Sequence, residues 1–315
     1  MSDRDTNTPE TNTPETNAPS GFRSGFVAVV GRPNVGKSTL VNRIVGRKVA
    51  IVSDKPQTTR NEIRGVRTTD HNQIVFLDTP GVHRPRTLLG ERSNQRALAT
   101  LSEVDVVCVV IEASAPVGPG DRFVAQAAHD AGSPVVLVVS KIDVAGRDDI
   151  AAQLTRAAEL GDFAAFVPLS ARTGVGVDAL VGELESRLPE GPRYYPEGVV
   201  TDQPEAFLAA ELLREQLLKV AREELPHSIM VVVDEIEERE TESGPLLAIH
   251  ARVLVERDSQ RGIVIGKGGE VLKKAGTAAR LELEALLGIR VHLETRVRVE
   301  PRWQRRAQSL DRLGL

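Results

Sequence analysis

Gly31-Arg32-Pro33-Asn34-Val35-Gly36-Lys37-Ser38, continued by Thr39, matches the pattern GxxxxGK[ST]. The glycines let backbone N–H groups turn inward on phosphate oxygens, and a helix starting at Lys37 would add its positive N-terminal end. At this spacing Lys37 would neutralise the terminal phosphates and the Ser38 hydroxyl would ligate Mg²⁺. Asp78-Thr79-Pro80-Gly81, followed by Val82, ends a later apolar run. A carboxylate at Asp78 could hold Mg²⁺ through a water, and Gly81 could offer its N–H to a γ-phosphate.

Three further segments follow the same order along the chain: Gln57-Thr58-Thr59-Arg60-Asn61, Ser140-Lys141-Ile142-Asp143 and Leu169-Ser170-Ala171. Together with the first two they resemble the five guanine-nucleotide motifs of GTPases. The resemblance implies that Asp143 pairs with the guanine ring N1 and exocyclic amine. It also implies that Lys141 lies along the ring and that the Ser170-Ala171 backbone meets the guanine oxygen. Ser140 departs from the family's usual Asn. Being shorter and lacking the amide, it is expected to weaken both a contact to guanine N7 and the bracing of the phosphate loop. Asp143 still favours guanine, because adenine has no donors at those positions.

By the same resemblance Thr59, rather than Thr58, is the second hydroxyl ligand of Mg²⁺, and Lys37, Thr59 and Gly81 are the catalytic candidates. Ras-like enzymes place a water-orienting glutamine after this glycine; here Val82 stands instead, and it cannot hydrogen-bond water. Hydrolysis is therefore expected to use a backbone-held water, a monovalent cation or a partner's group. Asn34 resembles the cation-coordinating Asn of potassium-stimulated GTPases, which makes K⁺ a candidate. His83, beside Arg84, Pro85 and Arg86, reads as a surface loop residue rather than a base.

The elements that must position these residues are legible as short Val/Ile-rich runs: Phe26–Gly31, Gln73–Asp78, Val104–Ile111, Pro134–Ser140 and Phe163–Pro168. Helix-compatible stretches lie between them, at Lys37–Gly46, Leu88–Glu103, Asp121–Ala131, Asp148–Leu160 and Val177–Leu188. Apolar strands alternating with helices predict a mostly parallel sheet covered on both faces. Ile63–Thr69, turning through Asp70-His71-Asn72, predicts one antiparallel strand on that sheet.

At 189–204 the composition shifts to Pro, Gly and Tyr, as at a domain boundary. A helix over Pro204–Glu224, strands at Ser228–Ile236 and Leu246–Glu256, helical stretches at Ile263–Ile265 and Val271–Leu287, and a strand at Arg290–Val299 follow. Gly266-Lys267-Gly268-Gly269 sits between the two helical stretches. In that setting it resembles the GxxG loop of an α+β KH domain, of the type II form with two strands before the signature. In such domains the loop clamps single-stranded nucleic acid. Ile263, Val264 and Ile265 are expected to line an apolar groove for bases, with Lys267, Lys273, Lys274 and Arg280 supplying phosphate contacts.

Tyr195-Pro196, Val200-Thr201-Asp202, Arg214-Glu215, Glu224-Leu225-Pro226-His227 and Val255-Glu256-Arg257 extend the likeness. From Gly25 to the last residue the chain resembles the Era family of GTPases. Arg296 stands where that family often has Trp. The resemblance implies binding near the 3′ end of 16S rRNA, assistance to 30S subunit assembly and rRNA maturation, and peripheral association with the cytoplasmic face of the membrane. The boundaries expected are a disordered extension over 1–24, a GTPase domain over 25–188, a linker over 189–204 and a KH domain over 205–315. A cytoplasmic monomer is expected. The rival readings are an RNA-binding KH scaffold whose nucleotide site regulates but scarcely hydrolyses, and a metabolic P-loop enzyme such as a kinase.

Composition bounds these readings. Among 315 residues, 40 Lys+Arg face 44 Asp+Glu, a net charge of −4, which excludes a chain that is basic all over. The charge is unevenly spread. Residues 251–315 hold 14 basic and 8 acidic groups, a local +6, whereas 211–244 hold 4 basic and 10 acidic groups. That pattern favours a one-sided grip on RNA. A single cysteine, Cys108, rules out an intrachain disulfide and a Cys-based zinc site, and reads as a small buried hydrophobe. At 3% aromatic content, a base-stacking platform is disfavoured. Trp303 is expected to pack the final helix. Arg302, Arg305, Arg306 and Arg312 read either as a solvated helix face or as phosphate contacts.

Overall fold

Side chains on β1 (Arg23–Gly31) alternate between two cores: Val27 and Val29 enter one, Ala28 and Val30 the other. Such two-sided burial requires helices on both faces of a sheet. The computed structural model describes residues 19–55, 58–220, 225–242 and 244–315, without the side chains of Pro226 and His227. The sequence readings at 1–18, Gln57, 221–224 and the His227 side chain lie outside the described residues.

The first sheet has the order β2-β3-β1-β4-β5-β6, with β2 at Ile63–Thr68, β3 at Asn72–Asp78, β4 at Val106–Glu112, β5 at Val135–Ser140 and β6 at Ala165–Pro168. Only β2 runs antiparallel, against β3; the other pairs are parallel. Helices α1 (Lys37–Val45), α2 (Leu88–Ala99), α3 (Pro119–Asp130), α4 (Arg147–Ala158) and α5 (Val177–Glu185) connect the strands. Parallel strands share a carboxyl edge, so Gly31, Asp78, Glu112 and Ser140 arrive at one end of the sheet, where α/β folds bind ligands. Cys108 is buried at the centre of β4, and burial pushes its thiol up to about 12.

β1 starts at Arg23, earlier than the apolar run alone indicates. Ser24 is fully buried and donates to the Pro192 carbonyl at 2.6 Å, and Arg23 bridges Glu190. The segment after α5 is therefore tied back to the sheet. Gln73 accepts from the Tyr194 and Tyr195 amides, and Val66 N donates to Val200 O at 2.9 Å.

The second domain contains α6 (Glu205–Val220), the single turn α7 (Leu225–Ser228), β7 (Met230–Thr241), β8 (Gly244–Val255), α8 (Asp258–Ile265), α9 (Glu270–Leu287), β9 (Arg290–Val299) and α10 (Ala307–Arg312). β7 and β8 are antiparallel, and β8 and β9 parallel. β7 runs beyond Ile236, because the acidic residues up to Glu240 still pair their backbone with β8. α8 starts at Asp258, well before Ile263. The Gln260 carboxamide oxygen accepts from the Glu256 and Arg257 amides at 2.9 and 3.1 Å and secures the first turn. Trp303 is fully buried with Leu310 and Leu315 and packs on Leu89 of α2, so the basic tail is docked on the first domain. Among the described residues no helix is long and apolar enough to cross a membrane.

Candidate functional site

Ser38 lies in the first turn of α1, Asp78 ends β3, and Thr59 lies between α1 and β2; their side-chain oxygens converge. The Ser38 hydroxyl donates to Asp78 Oδ2 at 2.6 Å and lies 3.0 Å from Thr59 Oγ1, which in turn lies 3.4 Å from Asp78 Oδ2. Asp78 is fully buried, and its Oδ1 has no partner among the described residues. Burial pushes this carboxyl up to about 6 against the pull of Lys37, Ser38 and Thr59. Three hard oxygen donors and an orphaned buried carboxylate oxygen fit a small divalent cation such as Mg²⁺. The structure favours Thr59 over Thr58 at this point, because Thr58 Oγ1 is turned away to the Lys55 carbonyl at 2.7 Å.

Lys37 Nζ donates to the loop carbonyls of Gly31 and Arg32 at 3.2 and 3.0 Å. Burial pushes its ammonium down to about 8, with Asp78 opposing. Arg32 is held by Asp121 of α3 at 2.8 Å. Asn34, in a left-handed conformation at φ +64°, donates its amide to the Asp54 carbonyl at 2.7 Å. Around these groups lies a cleft of about 410 Å³, lined by Pro33, Asn34, Gly36–Thr39, Ile51–Asp54, Thr58, Thr59, Gly81 and Lys141. The side chains of Val35, Thr79 and Val82 are buried, and Pro80 is buried as well. Thr79 spends its hydroxyl on the Val29 carbonyl at 2.9 Å. None of Val35, Thr79 and Val82 is among the residues lining the cleft.

A second recess of about 230 Å³ adjoins the cleft and is lined by Gly36, Thr39, Ser140, Lys141, Asp143, Val144, Leu169, Ala171 and Arg172. Asp143 accepts from Ser170 Oγ at 2.7 Å and faces Arg172 Nε at 3.4 Å. Lys141 pairs with Glu112 at 2.8 Å, while Ile142 is half-buried. The expected loss of bracing at Ser140 is not seen. Its hydroxyl lies 2.6 Å from the Val35 carbonyl and 2.9 Å from that of Ile111, so it still ties β5 to the phosphate loop. Glu112, Asp121 and Arg172 are not legible as site residues in the sequence, since no motif marks them; a charge at a strand or helix end is the only signal.

Residues 26–141 match the model of the 50S ribosome-binding GTPase family, and residues 224–304 match that of the KH domain. The chain is similar to GTPase Era of Mycobacterium sp. strain KMS, 52% identical over 298 residues, covering 94% of this chain and 99% of that one. The Mycobacterium avium GTPase Era is 52% identical over 296 residues, covering 93% and 99%. This chain belongs to the Era GTPase family. Among solved structures, Era in complex with MgGDPNP and nucleotides 1506–1542 of 16S ribosomal RNA matches with a TM-score of 0.88 and 38% identity, covering 92% of this chain and 98% of that one. A single-substitution variant of Aquifex aeolicus Era bound to GDP and AlF₄⁻ matches equally, at 0.88 and 38%, with the same coverage of 92% and 98%.

As an Era GTPase the chain carries a KH loop, at Gly266–Gly269. Gly266 has φ +74°, and a Cβ there would stand 2.5 Å from Val271 Cγ2, so only glycine fits between α8 and α9. Lys267, Lys273 and Lys274 are exposed, whereas Arg280 is half-buried and paired with Glu284 at 2.7 Å. Ile263 is 56% exposed and Ile265 half-buried, but Val264 is only 2% exposed and belongs to the domain core. Val264 is therefore corrected from a groove residue to a core residue, because the 100° step of α8 turns it inward between its neighbours. Arg302, Arg305, Arg306 and Arg312 are exposed, and Arg312 pairs with Glu300.

Proposed function

We propose that Gly31–Thr39 and Lys37 hold the phosphates of GTP, that Ser38, Thr59 and Asp78 hold Mg²⁺, and that Asp143, Lys141, Ser170 and Ala171 select guanine. The convergence of Ser38, Thr59 and Asp78 beside Lys37 carries this reading. Mg²⁺ bound there would neutralise charge on the phosphates. The chain's own residues do the rest. Lys37 neutralises the transferred group, Gly81 N–H orients it, and Thr59 closes the loop over it. Asn34, whose amide already meets the Asp54 carbonyl, offers its oxygen to K⁺ as a substitute for an arginine finger.

The KH domain binds 16S rRNA near its 3′ end through Ile263, Ile265, Gly266–Gly269, Lys273 and Lys274, with Arg280 contributing when released from Glu284. The bound RNA of the similar Era structure supports this assignment. In that role the chain assists 30S assembly and rRNA maturation, as a monomer in the cytoplasm, with a peripheral fraction at the inner face of the membrane. The division into a GTPase domain, a linker and a KH domain over 205–315 is supported by the two separate sheets, with the start of the first domain corrected from 25 to Arg23, because Arg23 and Ser24 pair with β3 and Ser24 is buried.

Phosphate release tests the reading, measured with GTP and with ATP, in K⁺ and in Na⁺, with and without an RNA of the 16S 3′-end sequence. GTP hydrolysis that is faster in K⁺ and rises with RNA is expected. Equal rates with GTP and ATP would overturn the guanine assignment, and equal rates in K⁺ and Na⁺ the cation assignment.

A further inference from the structure

Thr59 is held from the other domain. Arg214 on α6 is 1% exposed. Its Nε and Nη2 donate to the two carboxylate oxygens of Glu211 at 2.8 and 2.6 Å. Nη2 also donates to the main-chain carbonyl of Thr58. That carbonyl and the Thr59 amide share one rigid peptide plane, so moving Thr58 O re-aims Thr59. Glu215, the next residue on α6, accepts from the Val52 amide at 2.9 Å and from Lys48 Nζ. In the opposite direction Arg60 donates to the Ile229 carbonyl at 2.7 Å, and its guanidinium stands 5.3 Å from the Trp303 ring. Within the first domain the same segment is tied by Asn42, which accepts from the Val49 and Ala50 amides at 2.9 Å each.

Arg60 and Arg214 are thus both buried, and Glu211, the carboxylate paired with Arg214, acts on Arg60 through its charge. Burial, and then the charge of Arg214, push Arg60 down to about 9, with Glu211 opposing; it remains a cation at neutral pH. Such a cluster tolerates burial only while its hydrogen bonds are kept. Arg214 Nη1 has no partner among the described residues, so the donor bonds to Glu211 and Thr58 are what hold this side chain in place. A rotation of the KH domain that shifts α6 must therefore break these bonds or carry Thr58 along.

We propose that Arg214 is a positioning residue: through the Thr58 carbonyl it sets Thr59 against Ser38 and Asp78, and so couples RNA on the KH domain to the magnesium triphosphate on the P-loop. The inference rests on the RNA and Mg²⁺–GTP reading above. Linkage makes the effect reciprocal. RNA must raise the affinity for triphosphate by the same factor by which triphosphate raises the affinity for RNA. GDP lacks the γ-phosphate that orders such loops, so its affinity is expected not to depend on this clasp.

The test measures the affinity of full-length chain for GDPNP in Mg²⁺, with and without an RNA of 16S nucleotides 1506–1542, and for GDP alone. It uses the wild type, Arg214→Met and Arg214→Lys. In the wild type RNA is expected to raise GDPNP affinity by about fivefold or more. Arg214→Met should bring that factor close to one, with GDP affinity and nucleotide-free RNA affinity unchanged. Arg214→Lys, which keeps the charge but loses the fork, should restore part of it. If Arg214→Met does not fold, Arg214→Lys decides by itself: a factor equal to the wild type overturns the proposal. The proposal is equally overturned if Arg214→Met folds and retains full coupling, or if wild type binds the RNA with no effect on GDPNP. Wild type that fails to bind the RNA at all overturns the broader RNA reading instead.

Discussion

The Ser38 hydroxyl donates to Asp78 Oδ2 at 2.6 Å, joining the first turn of α1 to the end of β3 across the parallel sheet. The bond fixes the carboxylate in a fully buried position where its charge is costly. Burial raises the folded value from 3.8 to about 6. Between those two values the folded metal-free chain binds a proton that the unfolded chain has lost, so this group's contribution to stability falls as pH rises through the window. Above pH 6 it is a net cost, on the order of 2–3 kcal/mol at roughly 1.4 kcal/mol per unit. Asp78→Asn is therefore expected to raise the melting temperature of the nucleotide-free protein at pH 7.5, while abolishing Mg²⁺-dependent hydrolysis. In the wild type, Mg²⁺–GTP affinity should fall as pH drops through about 6 rather than about 4. Calorimetric melting and a pH series of nucleotide titrations check both outcomes.

Ser140 braces the phosphate loop by donating to the Val35 carbonyl or to that of Ile111. Its single proton serves one carbonyl at a time. Ser140→Ala removes that one buried hydrogen bond, which costs about 1–2 kcal/mol. Part of that cost falls on the loop, so GDP affinity should drop severalfold together with stability in denaturant unfolding. Unchanged GDP affinity would show that the bond does not reach the phosphate site.

Ile263 and Val264 are neighbours on α8 with opposite fates, at 56% and 2% exposure. Val264→Asp buries a carboxylate in the KH core and should unfold that domain, or cost several kcal/mol. Ile263→Asp should leave melting within about 0.5 kcal/mol of wild type and weaken RNA binding by introducing a negative charge beside the loop. Circular dichroism melts and RNA titrations separate the two effects.

Much of the fold and site is readable in one dimension, because a P-loop, a strand-end Asp and a GxxG loop each act through residues a few positions apart. The alternation of Val27 to Val30 into two cores is likewise a local pattern. Contacts between segments distant in the chain are not readable in this way. Nothing near Arg214 in sequence indicates that it reaches Thr58, 156 residues earlier. Nor does the Pro/Tyr composition of 189–204 reveal that Gln73 captures Tyr194 and Tyr195. Val264 is misplaced by sequence for another reason: three consecutive apolar residues cannot show which one a helix turns inward until its first turn is fixed, here by Gln260.

Gly81 closes on the phosphate loop more tightly than any side chain would permit. A Cβ at this position would stand 2.7 Å from both the Cα and the N of Pro33, which are backbone atoms that cannot swing aside. The next residue ties the same two loops together, since Val82 N donates to Gly31 O at 3.1 Å. Gly81→Ala must therefore push the Asp78–Val82 turn and the loop apart, displacing the Gly81 N–H from the site of the γ-phosphate. Hydrolysis should fall by at least about tenfold, as expected for loss of a preorganised donor, with GDP affinity less affected. Gly118→Ala is the matched control, because its Cβ would meet nothing closer than 3.9 Å. Single-turnover phosphate release and GDP titration on the two variants provide the measurement; equal turnover in both would show that the close approach of Gly81 to Pro33 has no part in the reaction.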